Sequence, residues 1–258
     1  MEPILSVNQI KKTFRLSRKQ QAIQKIAQPE IVAVNHLSFQ VYPGQIYGLL
    51  GPNGAGKTTA LRIISTLIKA DEGDAMLLGH SIKSDPEFVR RHIGFLTSEL
   101  RLEDFFTPNY LFDFFARLHD VPESMIEPRK KEMFAKFGID AFAEVKVANL
   151  STGMKQKVSL VISLVHDPDF IVFDEPTNGL DVLTAKIVTD FLLDLQKKGK
   201  TIIISTHIFS LVEKICSHVG IIINGKMIID GELASICDGV SLEERFFTLY
   251  QQEVGEVA

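Results

Sequence analysis

The chain has 258 residues, of which 45% are hydrophobic and 23% are charged, as expected for a globular protein with a buried core. Its formal net charge of −4 gives no global reason to expect nucleic-acid binding, which usually requires a strongly basic face. No apolar run approaches the ~20 residues that cross a bilayer. We therefore expect no nucleic-acid partner, and any membrane association to come through another protein.

The amino-terminal part of the chain contains strand-like pieces broken by Pro43-Gly44. These pieces predict an antiparallel sheet beside a larger core. Residues 11–25 contain six basic residues and no acidic residue. This basic segment is interpreted either as a solvated loop or as a contact for phosphate or anionic lipid headgroups.

Apolar runs of strand length then alternate with segments of helical period, which predicts an α/β fold with a mostly parallel sheet. Residues 85–165 are predicted to form a helical subdomain in which Pro86, Pro108 and Pro128 each stand where a helix could begin. Residues 170–173 and 201–205 are predicted to be buried parallel strands. Asn224-Gly225 predicts a type I′ hairpin, and residues 231–258 form a carboxy-terminal extension of what we expect to be one domain over residues 1–258.

A glycine-rich turn, GPNGAGKT, lies between a predicted strand and a predicted helix. In such a loop the backbone N–H groups surround a phosphate, and the start of the helix adds positive dipole. Lys57 is expected to reach the β and γ phosphates of a nucleotide, and the Thr58 hydroxyl to bind Mg²⁺. The candidate nucleotide-binding residues of this loop are Gly51, Pro52, Asn53, Gly54, Ala55, Gly56, Lys57, Thr58 and Thr59.

Two carboxylates and a histidine follow the two buried strands, at the sheet edge where ligands bind in open α/β folds. Asp174 is the candidate metal ligand, directly or through water. Glu175 is the candidate general base for the attacking water. His207 is expected to contact the γ-phosphate, although a lone histidine is more often structural than catalytic.

The motif Leu150-Ser151-Thr152-Gly153-Met154 precedes these carboxylates, and Asn178-Gly179-Leu180-Asp181 follows them. With the glycine-rich loop and His207, they resemble in order the motifs of ATP-binding-cassette ATPases. The resemblance covers residues 4–229 and implies a P-loop NTPase core with an antiparallel β subdomain and a helical subdomain.

The resemblance also implies a mechanism in which ATP lies between two ATP-binding subunits packed head to tail. Ser151 and Gly153 of one subunit would then face the phosphate loop of the other, and Asp181 would lie near the nucleotide. The implied second partner is a transmembrane transporter subunit, which would hold this chain at the cytoplasmic face of the membrane. We call residues 150–154 the signature motif. In it Thr152 and Met154 replace the glycine and glutamine usual in the family, and this variant resembles a subclass of efflux ATPases that includes sodium-extrusion and drug-export systems.

A further position departs from the family pattern. Where the family has a glutamine that contacts Mg²⁺, the aligned residue is Ser98, with Glu99 beside it. The matching candidate for the aromatic that stacks on adenine is Phe14; the alternative is that this phenylalanine belongs to the core. Ser98 is kept as a candidate metal contact and Phe14 as a candidate nucleotide contact.

A helical stretch after Ser98 is rich in aromatic residues: Phe105, Phe106, Tyr110, Phe112, Phe114 and Phe115. Most of these rings are expected in the core, and in the family this region receives a coupling helix of the membrane subunit. The leading function is hydrolysis of Mg-ATP that powers an exporter. The alternatives are an ATPase of the same superfamily acting on ribosomes or DNA, and a regulatory module that binds ATP and barely hydrolyses it.

Overall fold

Two sheets form the body of the protein in the computed structural model, which describes residues 2–17, 21, 29–97, 102–178 and 180–255. The smaller sheet is antiparallel and has the strand order β2-β1-β4-β5. Leu5, Val7 and Ile10 of β1 are buried in the core, and the register shift between Val7 and Ile10, where Gln9 has φ 50°, keeps Ile10 on the buried side of the strand. The strands are β1 (Leu5–Arg15), β2 (Glu30–Val41), β4 (Glu72–Leu77) and β5 (His80–Ser81).

The larger sheet has the strand order β10-β9-β3-β8-β7-β6, and all neighbours except β10 and β9 run parallel. Helices and the smaller sheet cover its central strands, so every residue of β3 and β8 is buried. The predicted hairpin is confirmed, because Asn224 and Gly225 both have positive φ between β9 and β10. The strands are β3 (Ile46–Leu50), β6 (Ile93–Thr97), β7 (Phe170–Asp174), β8 (Thr201–Thr206), β9 (His218–Ile223) and β10 (Lys226–Glu232).

The helices begin at capping residues where the sequence supplies them. Asp85, Thr107 and Ser241 each accept a hydrogen bond from a backbone N–H of the first helical turn. The helices are α1 (Lys57–Ile64), α2 (Pro86–His92), α3 (Pro108–Leu118), α4 (Glu123–Phe137), α5 (Thr152–Ser163), α6 (Val182–Lys197), α7 (Phe209–Ile215), α8 (Leu233–Cys237) and α9 (Leu242–Val254).

Helix starts were predicted at three prolines, and one of these predictions is wrong. Pro86 and Pro108 are the first residues of α2 and α3, where the missing N–H costs nothing. Pro128 lies inside α4, which already begins at Glu123. It removes one hydrogen bond from that helix rather than starting it.

Within the predicted helical subdomain, α3, α4 and α5 contact one another, whereas α2 contacts β5 and β6. The predicted fold class is thus confirmed. The subdomain limits of 85–165 and the extension 231–258 remain predictions. In the part of the chain that the structure describes, no helix combines the length and the apolar character needed to cross a bilayer.

Candidate active site

The glycine-rich loop joins β3 to α1, and its shape is fixed by backbone contacts with other parts of the chain. Gly56 has φ 103°, and a Cβ at this position would lie 2.2 Å from the carbonyl oxygen of Ala33. Only glycine fits that conformation and that approach. The N–H of Gly225, in the β9–β10 hairpin, donates to the carbonyl oxygen of Ala55 at 3.0 Å. The hairpin therefore supports the loop from outside.

Lys57, the first residue of α1, folds back into the loop. Its Nζ donates to the carbonyl oxygens of Gly51 at 2.7 Å and Pro52 at 3.2 Å, and lies 3.8 Å from Oε1 of Glu175. Burial lowers the pKa of Lys57, and the negative charges of Glu175 and Asp174 partly oppose this effect. The loop thus holds a buried amine that an anionic ligand would stabilise in its charged form.

Asp174 ends β7 behind the loop and is almost fully buried. Its Oδ1 accepts hydrogen bonds from the Thr58 hydroxyl at 3.0 Å and from the Ser205 hydroxyl. Ser205 lies directly beside Asp174 in the parallel register of β7 and β8. The sequence analysis did not single out Ser205, although the polar residues that follow Ile202, Ile203 and Ile204 were a usable signal.

Glu175 leaves β7 in the left-handed region of backbone space, with φ 55°, and its N–H donates to the carbonyl oxygen of Ser205 at 3.0 Å. Nδ1 of His207 lies 3.1 Å from both carboxylate oxygens of Glu175, but only Oε1 has hydrogen-bond geometry. Oε2 is buried and has no hydrogen-bond partner among the described residues. The predicted base and the predicted phosphate sensor are therefore in contact.

Lys57, Glu175 and His207 line one cavity of about 380 Å³, and Asp174 lies behind it. Ala33 and Asn178 also line it, although the sequence analysis gave neither a role in the site. The described lining includes none of Phe14, Ser151, Gly153 and Asp181. The cavity is lined by Ala33, Asn53, Gly54, Ala55, Gly56, Lys57, Thr58, Thr59, Glu175, Asn178 and His207.

The signature motif lies at the exposed start of α5. The Ser151 hydroxyl accepts a hydrogen bond from the N–H of Met154 at 3.3 Å and caps the helix. A Cβ added at Gly153 would meet no described atom within 4 Å. Nothing within the described chain therefore explains why this position is a glycine.

Asp181 caps α6 with both carboxylate oxygens. Oδ1 accepts from the N–H groups of Leu183 and Thr184, and Oδ2 accepts from the Thr184 hydroxyl at 2.7 Å. These hydrogen bonds, that of the Thr184 hydroxyl first, lower the pKa of Asp181. In this chain Asp181 is thus a helix cap, and its contact with a nucleotide stays a prediction.

Phe14 and Ser98 are the two remaining candidates. The Phe14 ring is 39% exposed on β1, so the alternative that it belongs to the core is wrong. Nζ of Lys12 lies 5.7 Å from the ring centroid. Ser98 lies outside the described residues.

The aromatic residues around α3 divide into two groups. Phe112 is fully buried and packs edge-on against Phe134, and Phe115 is partly buried against the core. We call the exposed group the aromatic patch. Three of its side chains are spaced four residues apart along α3, and the fourth precedes the helix. It consists of Phe105, Tyr110, Phe114 and Leu118, each between 48% and 61% exposed.

A family model described as ABC transporter matches residues 34–178. The chain belongs to the ABC transporter family. The match contains the phosphate loop, the signature motif and both carboxylates that follow β7. ATP-binding subunits of this family work with membrane components.

Two relatives in the ABC transporter family align with most of the chain. The ABC transporter ATP-binding protein NatA of Bacillus subtilis is 35% identical over 83% of this chain and 87% of that protein. The Nod factor export ATP-binding protein I of Ralstonia nicotianae is 34% identical over 89% of this chain and 67% of that protein.

Solved structures support the same assignment. One described as the ATP-binding subunit of an ABC transporter has a TM-score of 0.84 and 26% identity, covering 96% of this chain and 99% of that chain. A dimeric cassette in a post-hydrolysis state, bound to ADP and Pi, has a TM-score of 0.78 over 89% of this chain and 98% of that chain. At 23% identity this second likeness shows the fold alone. As a member of the ABC transporter family, the chain is an ATP-binding and ATP-hydrolysing subunit.

Proposed function

We propose that this chain hydrolyses Mg-ATP in the cavity between the phosphate loop and the ends of β7 and β8, and that a membrane partner uses the energy for export. The observation that carries the proposal is the convergence of Lys57, Glu175 and His207 on that cavity, with Asp174 bonded to Thr58 behind it. A cation, a metal-binding pair and a carboxylate base are the groups that phosphoryl transfer to water requires.

The residues of the cavity have different roles in the reaction. The loop N–H groups and Lys57 bind the phosphates, and to do so Lys57 gives up the carbonyl oxygens of Gly51 and Pro52. Glu175 orients the attacking water and accepts its proton, since its Oε2 is free of other hydrogen bonds among the described residues. His207 orients Glu175 and senses the γ-phosphate.

The oxygen atoms beside the phosphate loop fit Mg²⁺. Mg²⁺ prefers hard oxygen ligands and is usually held by one or two carboxylates together with substrate phosphates. Oγ1 of Thr58 and Oδ1 of Asp174 lie 3.0 Å apart and supply a hydroxyl and a carboxylate on one side of the cavity. Mg²⁺ would neutralise charge on the phosphates during transfer. Ser205 holds Asp174 in place through its hydroxyl.

A second ATP-binding subunit completes the proposed site. Ser151 and Gly153 lie outside the cavity of their own chain, and Gly153 has open space where a side chain would be. In a head-to-tail dimer, the start of α5 in one subunit approaches the γ-phosphate held by the other, and its dipole favours that charge. The exposed side chains of Val182 and Leu183, which follow Asp181, provide apolar surface beside this contact.

The aromatic patch is the proposed contact for the membrane partner. Three exposed rings and Leu118 form apolar surface along α3 and just before it, and exposed apolar patches mark interaction sites. The partner would hold the chain at the cytoplasmic face of the membrane. Export is proposed because the names of two relatives, the Nod factor export protein and the multidrug transporter protein of Escherichia coli, refer to export or drug transport.

The catalytic proposal is tested by the Mg²⁺ dependence of ATP hydrolysis. We expect Asp174→Asn to raise the Mg²⁺ concentration for half-maximal rate at least about tenfold, because a charged metal ligand is lost. Asp169→Asn is the matched control, since Asp169 lies just before the same strand and pairs with Lys200. An unchanged Mg²⁺ dependence in Asp174→Asn would contradict the metal assignment.

The partner proposal is tested by co-purification from membranes. We expect the double variant Tyr110→Ser/Phe114→Ser to lose its membrane subunit while it keeps ATP hydrolysis in solution. Phe112→Ser is the contrasting variant, because loss of a fully buried ring should lower the melting temperature instead. Full retention of the partner by the double variant would show that the aromatic patch is not the contact.

A further inference from the structure

A second cavity, of about 410 Å³, lies at the far end of α1 from the phosphate loop. It shares no lining residue with the nucleotide cavity among the described residues. Its apolar wall comes from Ile63 and Ile68 on one side and from Ile82 and Pro86 on the other. The volume is within the range of small-molecule sites, which combine apolar walls with a few polar groups.

Three exposed cations, Lys69, Lys83 and Arg90, also line this cavity. Within the described part of the chain, no Asp or Glu lines it and none of the three cations forms an ion pair. Other lysines of the chain behave differently, since Lys136 and Lys200 each lie within 3.2 Å of an acidic oxygen. The charged side chains among the described lining residues of this cavity are therefore all positive.

Thr66 fixes one of the cations at the cavity wall. It is β-branched yet has φ 61°, a conformation that costs free energy and persists only when its surroundings impose it. Its hydroxyl accepts a hydrogen bond from Nη1 of Arg90 at 3.1 Å. The strained turn thus presents the hydroxyl that orients the guanidinium group.

The negative end of α1 does not cancel this positive charge. The carbonyl oxygen of Arg62 accepts from the N–H of Leu67 at 2.9 Å, and that of Ile63 accepts from the N–H of Thr66 at 3.0 Å. The loop after α1 therefore covers carbonyl groups that would otherwise favour a cation.

We propose that this cavity binds an amphiphilic anion, a phosphate monoester or carboxylate carried on an apolar chain. The three cations supply charge-assisted hydrogen bonds to the head group, and the isoleucine wall takes the apolar chain. No aromatic side chain lines the cavity among the described residues, so it offers no stacking surface for a nucleotide base.

The test is calorimetric titration of the full chain with octyl phosphate, with saturating ADP present so that the phosphate loop is occupied. We expect saturable binding of one molecule per chain. Inorganic phosphate alone should bind at least about tenfold more weakly, because it leaves the apolar wall uncovered. Absence of saturable octyl phosphate binding would overturn the proposal.

Two double variants show whether the binding belongs to this cavity. Lys69→Gln/Lys83→Gln should weaken octyl phosphate binding at least about tenfold, since two charge-assisted contacts are removed. Lys131→Gln/Lys146→Gln removes two exposed lysines that lie outside this cavity, so the net charge changes equally. An equal loss in both double variants would show non-specific ion binding and overturn the proposal.

The source of the anion is distinguished with vesicles. Binding to vesicles that contain anionic phospholipid, lost in Lys69→Gln/Lys83→Gln but kept in the control double variant, identifies a lipid head group. Saturable binding of octyl phosphate without vesicle binding identifies a soluble amphiphile. Melting temperatures of both double variants establish that each remains folded.

Discussion

The two ends of the proposed ATP site differ in how much of their chemistry this chain completes by itself. At the phosphate loop, Lys57, Asp174 and Glu175 are joined by contacts of 3.8 Å or less to the loop, to Ser205 or to His207. At the signature end, the Ser151 hydroxyl bonds only within its own helix among the described residues, and Gly153 faces open space.

In the proposed mechanism, a single chain therefore supplies only one of the two ends of each ATP site. The phosphate-loop end is preorganised by three segments distant in sequence, and we expect it to bind a nucleotide without a second subunit. The signature end holds a helix start that has no ligand in its own chain. Variants at the first end should therefore change events within one subunit, and variants at the second should change events between subunits.

The largest effect is expected from Glu175→Gln. Loss of the general base should slow ATP hydrolysis about 10²–10⁴-fold while the phosphate contacts remain. Since ATP is then retained, both ends of the site keep their ligand and the head-to-tail dimer should persist with Mg-ATP. Hydrolysis assays and size-exclusion chromatography with light scattering measure the two outcomes.

Either of two results for Glu175→Gln would contradict the roles given to the two ends of the ATP site. A parental hydrolysis rate would contradict the assignment of the base. A variant that binds Mg-ATP but stays monomeric at every accessible concentration would contradict the shared site. Glu87→Gln, on the exposed side of α2, is the matched control.

Lys57→Ala should lower the affinity for ATP by about 100-fold or more, because a charged donor to the phosphates is lost. The effect should appear in a monomer, since this end of the site is complete within one chain. Titration with a fluorescent ATP analogue measures it, and Lys131→Ala serves as the control. Unchanged affinity would refute the role of the loop.

Gly153→Val addresses the signature end. The folded chain should tolerate the side chain, because a Cβ there meets no described atom within 4 Å. Hydrolysis should fall by roughly 10–100-fold, since small displacements at a shared site have effects of that size. We expect ATP affinity of the monomer and the melting temperature to stay at parental values, and a drop in either would place the effect within one subunit.

The last prediction concerns stability, through the attachment of α5 to the larger sheet. His166 follows α5, stacks on His119 with ring centroids 4.1 Å apart, and lies with Nε2 3.1 Å from the carbonyl oxygen of Ile93. Burial, and secondarily His119, lowers the pKa of His166 to about 4, below its ordinary value of 6.5. The folded protein therefore favours neutral His166.

Because unfolding below pH 6.5 takes up a proton at this site, its contribution to stability is present above about pH 6.5 and is lost as the pH falls towards 4. The full loss is of the order of 3 kcal/mol, from 1.36 kcal/mol per pKa unit. Denaturant titrations between pH 7.5 and pH 4 should show a shallower decline for His166→Gln. Parallel declines would show that this stack does not anchor the signature end.

Sequence patterns were sufficient for features made by neighbouring residues. The strand, glycine-rich turn and helix around Lys57 occupy one continuous segment, and Asn224-Gly225 carries its turn geometry in two residues. The alternation of strands and helices then predicted the mostly parallel sheet. These predictions of the fold are confirmed, while the roles given to the site residues remain predictions.

Features made by residues distant in sequence were not predictable from the sequence. The hydroxyl bond from Ser205 to Asp174 depends on the register of β7 and β8, which no local pattern encodes. Phe112 and Phe114 are both phenylalanines two residues apart on α3, and which of them is buried depends on distant packing, since Phe112 lies against Phe134 of α4. The backbone conformation of Glu175 was also hidden, because it arises where β7 ends against Ser205.

The positive φ of Glu175 lowers the stability of the fold at a residue that the proposed activity requires. A glutamate at φ 55° is less stable than a glycine there would be, by about 1 kcal/mol or somewhat more. Glu175→Gly would therefore relieve the backbone while it removes the base. In the proposed mechanism, the chain therefore accepts a less stable backbone at this position because hydrolysis requires the carboxylate.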